Sequence, residues 1–129
     1  MACIAGLGVA SLLQSCASTQ YFAKNEIEGE YLKISITEFK ANRKYVLVRS
    51  EQLNFPIYLY QISETEYSAA WMQCTHLGAE LSAHGETMSC PAHGSEFDKL
   101  GNLTQGPAQT NLRKFKTKIE NQHVLIHLS

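Results

Sequence analysis

Membrane-length apolar runs and blocks of one charge are missing from these 129 residues, and sustained helical periodicity is missing past the N-terminal segment. No stretch reaches the roughly 20 consecutive apolar residues that a membrane-spanning helix needs. Eleven Lys and Arg stand against twelve Asp and Glu, for a net charge of −1. A nucleic-acid partner would want a basic stripe, which that balance does not supply. No phosphate-cradling glycine loop, catalytic triad or carboxylate pair is present. There is no internal repeat and no low-complexity tract. The hydrophobic fraction of 44% and charged fraction of 18% exclude a disordered chain. The length fits one domain with a single core region.

Residues 1–16, MACIAGLGVASLLQSC, carry small and aliphatic side chains and no charged one. Ile4 to Leu13 has the length of a signal-peptide apolar region. Leu13-Gln14-Ser15-Cys16 resembles a bacterial lipobox, in which the cysteine becomes the lipidated first residue of the mature protein. Cys16 is therefore the candidate lipidation site, and the expectation is an exported, lipid-tethered protein of the bacterial periplasm or cell envelope. The alternatives are an ordinary N-terminal helix and a cytoplasmic protein. Residues 17–29 show no steady period and are expected as a linker, which fully extended would reach about 40 Å.

From residue 30 onward the pattern is β. Leu32, Ile34 and Ile36 alternate with polar neighbours, as do Phe115, Thr117 and Ile119, and Val124, Ile126 and Leu128 alternate with His123, Leu125 and His127. Tyr45 to Val48, Ile57 to Ile62 and Tyr67 to Met72 are β-branched and aromatic runs. Glu120-Asn121-Gln122 reads as a hairpin connection. The fold class is all-β, with short antiparallel strands and one domain over residues 30–129.

Four cysteines stand at 3, 16, 74 and 90, an even count that invites disulfide pairing. Two of them lie in the apolar N-terminal stretch, and the other two each precede a histidine, so disulfides are the weaker reading. Cys74-Thr75-His76-Leu77-Gly78 is followed, after eleven residues, by Cys90-Pro91-Ala92-His93-Gly94-Ser95. Two thiolates and two imidazoles make a four-ligand set. A structural zinc site accepts the same donors, although zinc modules usually pair Cys with Cys. Here each loop supplies one Cys and one His, which suits a cluster of two unlike irons. Gly78 and Gly94 would let the backbone turn so that amides face the sulfurs. His84, His123 and His127 read as solvated histidines, and Trp71, Tyr58, Tyr60 and Tyr67 as packing residues.

The two loops closely resemble those of the Rieske iron–sulfur family, in the type found in cytochrome bc complexes and molybdenum oxidoreductases. The likeness extends to Phe97-Asp98, Gly101 and Gly106-Pro107-Ala108 and covers about residues 30–129. It implies stacked antiparallel sheets with one [2Fe–2S] cluster at a tip. Cys74 and Cys90 would hold one iron, His76 and His93 the other. It implies that Pro107 shields the cluster and that Ser95 tunes it through its hydroxyl. Phe97 stands where many relatives carry a tyrosine. Ala79 and Ala92 stand where many carry disulfide-forming cysteines, so that bridge cannot form here.

The resemblance also implies electron transfer without a catalytic site of the chain's own. The expected role is a membrane-tethered carrier or subunit between quinol or a dehydrogenase and a cytochrome. Its partner would be a redox protein: a cytochrome, a quinol-oxidising complex or an oxidoreductase large subunit. A soluble ferredoxin and a small subunit of a larger oxidoreductase are the alternatives, and a structural zinc module is a more distant one.

Overall fold

A strand with a core on each face has no polar side to show, whereas a strand with one face in water alternates. That rule separates the uninterrupted runs in the middle of the chain from the alternating strands near its ends. The computed structural model describes residues 20–129. Cys16 and the rest of the lipobox-like segment lie outside the described residues.

Twelve short strands follow in order: β1 (Glu26–Glu28), β2 (Tyr31–Ser35), β3 (Tyr45–Val48), β4 (Ile57–Gln61), β5 (Tyr67–Trp71), β6 (Ser82–His84), β7 (Thr87–Ser89), β8 (Glu96–Asp98), β9 (Leu103–Gln105), β10 (Lys114–Phe115), β11 (Thr117–Glu120) and β12 (His123–His127). They form three four-stranded sheets in the orders β1-β2-β12-β11, β10-β5-β4-β3 and β6-β7-β8-β9. All the strand pairings are antiparallel. A single 3-10 turn at Ile36–Glu38 is the helical content among the described residues.

The second sheet is the middle layer. Val46, Val48, Ile57, Leu59, Tyr67 and Ala69 face a core shared with Leu32, Ile34, Val124 and Ile126 of the first sheet. Their neighbours Leu47, Tyr58, Tyr60 and Ala70 face a second core shared with Ala83, Met88 and Phe97 of the third sheet. Successive side chains of one strand thus serve opposite cores, which is why β3, and β4 up to its last residue Gln61, have no polar face. Each large aliphatic side chain so buried contributes about 1.5–3 kcal/mol relative to exposure. Cys74 and Cys90 lie in the second core.

Two expectations change. The linker over 17–29 does not hold for its described part: Tyr21 O and Ala23 N–H bond to Leu47 along the free edge of β3, and β1 pairs with β2. Edge pairing needs only backbone groups, so it left no period in the side chains. The alternating run from Lys114 to Ile119 is not one strand. The chain crosses from the second sheet to the first at Lys116, and Ile119 ends up 39% exposed.

The hairpin at residues 120–122 forms as read, with Asn121 and Gln122 at φ +48° and +62°. Two left-handed residues in a row suit Asn-Gly better than Asn-Gln. Relieving the Cβ clash outweighs the extra chain entropy of glycine, so Gln122→Gly should stabilise the domain by about 0.5–1 kcal/mol. Urea unfolding measures this, and a lowered midpoint would contradict the turn.

Candidate metal centre

Cys74 comes three residues after β5, and Cys90 directly after β7. Both open loops with the same backbone plan. Cys74 N–H donates to Ala79 O at 2.8 Å, and Gly78 N–H to Cys74 O at 2.9 Å. Cys90 N–H donates to Ser95 O at 2.8 Å, and Gly94 N–H to Cys90 O at 2.9 Å. Such a tight reversal needs a left-handed step, and Gly78 and Gly94 make it at φ +80° and +86°.

The glycine amides are therefore used in closing the loops, and other amides reach the sulfurs. His76 N–H donates to Cys74 Sγ at 3.4 Å. The N–H groups of Ala92 and His93 bond to Cys90, and the Cys74 thiol is within hydrogen-bonding reach of it. Burial pushes the Cys90 thiol up, but those donors outweigh it and hold the group below its usual range. The thiolate is the form that binds metal.

The four side chains divide by exposure. Cys74 and Cys90 are buried, at 2% and 4%, whereas His76 and His93 are exposed. The imidazoles meet edge to face with ring centres 5.1 Å apart. Among the described residues no three His, Cys, Asp or Glu side chains converge as ligands of a single metal ion. A thiol pair beneath an imidazole pair instead matches a two-iron cluster with two ligands per iron.

A third loop leans on the other two. Ala108 N–H donates to Ser95 Oγ at 3.0 Å. Gln105 Nε2 donates to Gly94 O at 2.9 Å, and Thr75 Oγ1 to Thr110 O at 2.8 Å. Ser95 is fully buried, and no described residue accepts its hydroxyl proton. A sulfur of a cluster held by the two cysteines would satisfy that donor, so the residues fit the group. Phe97 is fully buried in the same core as both cysteines, and Pro107 lies exposed beside buried Ala108.

Thr75 and Gln105 were not legible as site residues, whereas Ala108 falls in the Gly106-Pro107-Ala108 loop that the sequence singles out. The roles of the first two consist of contacts between loops distant in sequence, which no local pattern records. His84 is exposed, His123 bonds to Asn121 O and His127 to Ser129 Oγ. None of the three joins the centre.

Gly94 offers a clean test of loop closure, because a Cβ there would meet no atom within 4 Å. The cost of Gly94→Ala is then backbone strain alone, about 1 kcal/mol once the stiffer unfolded chain is counted. Chemical denaturation should show that loss. An unchanged midpoint would mean the left-handed step is not required.

The family described as the Rieske [2Fe-2S] domain matches residues 24–116. The cytochrome b6-f complex iron–sulfur subunit of Synechococcus sp. (strain RCC307) is 36% identical over 55 residues, covering 41% of this chain and 31% of that subunit. The ubiquinol-cytochrome c reductase iron–sulfur subunit of Bradyrhizobium diazoefficiens is 48% identical over 42 residues, covering 30% and 24%. The matched part thus spans about a third or less of these curated relatives. A chain of a solved hyperthermophilic respiratory Complex III has the same fold, with TM-score 0.58, 17% identity and coverage of 95% of this chain and 92% of that one. Loops, layers and family match agree: this chain belongs to the Rieske [2Fe-2S] domain family and binds one [2Fe–2S] cluster.

Proposed function

We propose that the chain carries electrons as a Rieske subunit or lipid-tethered carrier of a quinol-oxidising cytochrome complex. The observation that carries the reading is the division of the centre into two buried thiols and two exposed imidazoles. Cys74 and Cys90 hold one iron, His76 and His93 the other. The bound cluster supplies one-electron chemistry.

The chain's own residues do the rest. Backbone N–H groups of His76, Ala92 and His93 offset negative charge on the cysteine sulfurs. Phe97, Met88 and Leu112 keep water from beneath them. His76 and His93 bring their ring edges to the surface, beside Leu77, which is 69% exposed. That uncharged tip is where a redox partner docks. The names of the sequence relatives, subunits of cytochrome b6-f and ubiquinol-cytochrome c reductase complexes, support a partner of that type. The run ending in Leu13-Gln14-Ser15-Cys16 supports a lipid anchor at Cys16 and a place in the bacterial envelope. Ala79, Ala92 and Phe97 favour a second reading, a soluble ferredoxin, because a loop disulfide and a tyrosine hydroxyl are both lacking.

Elemental analysis should find two irons and two acid-labile sulfides per chain and no zinc. One zinc without sulfide refutes the proposal. Potentiometry then separates the two electron-transfer readings, since Rieske centres span about −150 to +300 mV and a quinol-linked one belongs in the upper half.

Ser95→Ala removes a hydroxyl that, donating to sulfur, favours the reduced cluster. One such bond to a charged group is worth roughly 1.5–3 kcal/mol, of which only the difference between redox states counts. At about 59 mV per 1.4 kcal/mol, the potential should fall by tens of millivolts, up to about 100 mV. A potential that does not move upon Ser95→Ala removes the tuning role.

A further inference from the structure

Cys74 and Cys90 meet from different sheets. Cys74 is delivered by β5 of the middle sheet, and Cys90 by β7 of the third. Their approach is only as accurate as the seating of the third sheet on the middle one. The β6–β7 hairpin pairs over three residues on each side, and a hairpin that short is marginal alone. Tertiary contacts must therefore set its direction.

Those contacts gather at the hairpin's turn, Gly85-Glu86. Tyr58 OH donates to Gly85 O at 3.0 Å, and Tyr60 OH to Glu86 Oε2 at 3.2 Å. Lys99 Nζ, from the turn after β8, holds Glu86 Oε1 at 3.0 Å and stands 5.0 Å from the centre of the Tyr60 ring. Tyr58 and Tyr60 are two apart on β4, so both project from the same face of the middle sheet. Their rings lie in the core that contains both cysteines. Burial pushes the Tyr58 phenol far up, so its hydroxyl remains a donor throughout the working pH range. From Glu86 to Cys90 is four residues, about 13 Å of strand. A tilt at the turn is carried along β7 to the sulfur.

We infer that Tyr58, Tyr60 and Glu86 are positioning residues for the metal centre, fixing the β6–β7 turn against the middle sheet and so setting where Cys90 stands relative to Cys74. The inference rests on the reading that these two cysteines share one iron. None of the three residues touches the cluster loops through a hydrogen bond. They act through the strand.

The test uses the full chain with its cluster, in the parent and in Tyr58→Phe, Glu86→Ala and Glu86→Gln. Thr117→Val is the control, because its lost bond to Tyr67 O at 3.2 Å lies away from the hairpin. Three quantities are read: loss of visible absorption to excess EDTA well below the melting temperature, the electron paramagnetic resonance line shape, and the melting temperature itself. Tyr58→Phe and Glu86→Ala should each release the cluster about fivefold faster, the change that one net hydrogen bond is worth, with a broadened or shifted spectrum. Glu86→Gln keeps an oxygen acceptor and should fall between them and the parent. Thr117→Val should lower the melting temperature alone. A variant that folds by circular dichroism yet takes up no iron also supports the inference. Release rates and spectra matching the parent in both Tyr58→Phe and Glu86→Ala overturn it. A parent that takes up no iron refutes the ligand reading itself, and the inference with it.

Discussion

The tip of this domain depends on one repeated bond, a glycine amide turned back onto the carbonyl of the cysteine four residues before it. That closure uses the glycine N–H and leaves the intervening amides facing inward, toward Sγ. The same curvature throws the histidine side chains outward. Inward amides and outward imidazoles are thus two results of one backbone path. The loops share this closure and differ in where the histidine falls, two residues after Cys74 and three after Cys90. One closure scheme tolerates both spacings because the histidine's own amide faces sulfur in each.

Beneath the tip, packing and chemistry share a core. The layer holding Phe97, Met88 and Leu112 also holds the cysteines, so the groups that would ligate iron are anchored by apolar contacts rather than by charges. Ser95 is the polar exception. It is buried because the third loop gives its hydroxyl an amide donor, Ala108 N–H, and an unpaired hydroxyl at that depth would cost about 1–3 kcal/mol. The third loop is therefore part of the support of Ser95 as well as a cover for the tip.

Strands that face water on one side were legible in the sequence through alternation, and the middle sheet through its unbroken apolar runs. The third sheet was not. Its strands are three residues long, too short for a period to rise above the surrounding loops, and tertiary contacts hold them in place. That Cys74, His76, Cys90 and His93 come together was legible, because rare side chains stand at fixed offsets in two short loops. Thr75 and Gln105 were not, since a hydroxyl or amide that latches onto a backbone carbonyl has no spacing rule to obey. Tyr58 and Tyr60 were readable as packing residues, and only the structure shows where their hydroxyls end.

The run of residues 108–120 from the tip loops into the middle and first sheets has a mechanical meaning. Ala108 is bonded to the tip, Leu112 N–H to Gly101 O, Trp71 N–H to Arg113 O, Phe115 lies opposite Ala69, and Thr117 opposite Ile126. One continuous piece of backbone is thereby tied to loops of the third layer and then paired into the middle and the first sheets. Val46, Leu59 and Ala69 of the middle sheet share one core with Leu32, Val124 and Ile126 of the first, so these two layers are expected to melt together, as one cooperative unit. Load applied at the tip is carried along a covalent chain into the far sheet, so the whole thickness of the domain braces the tip.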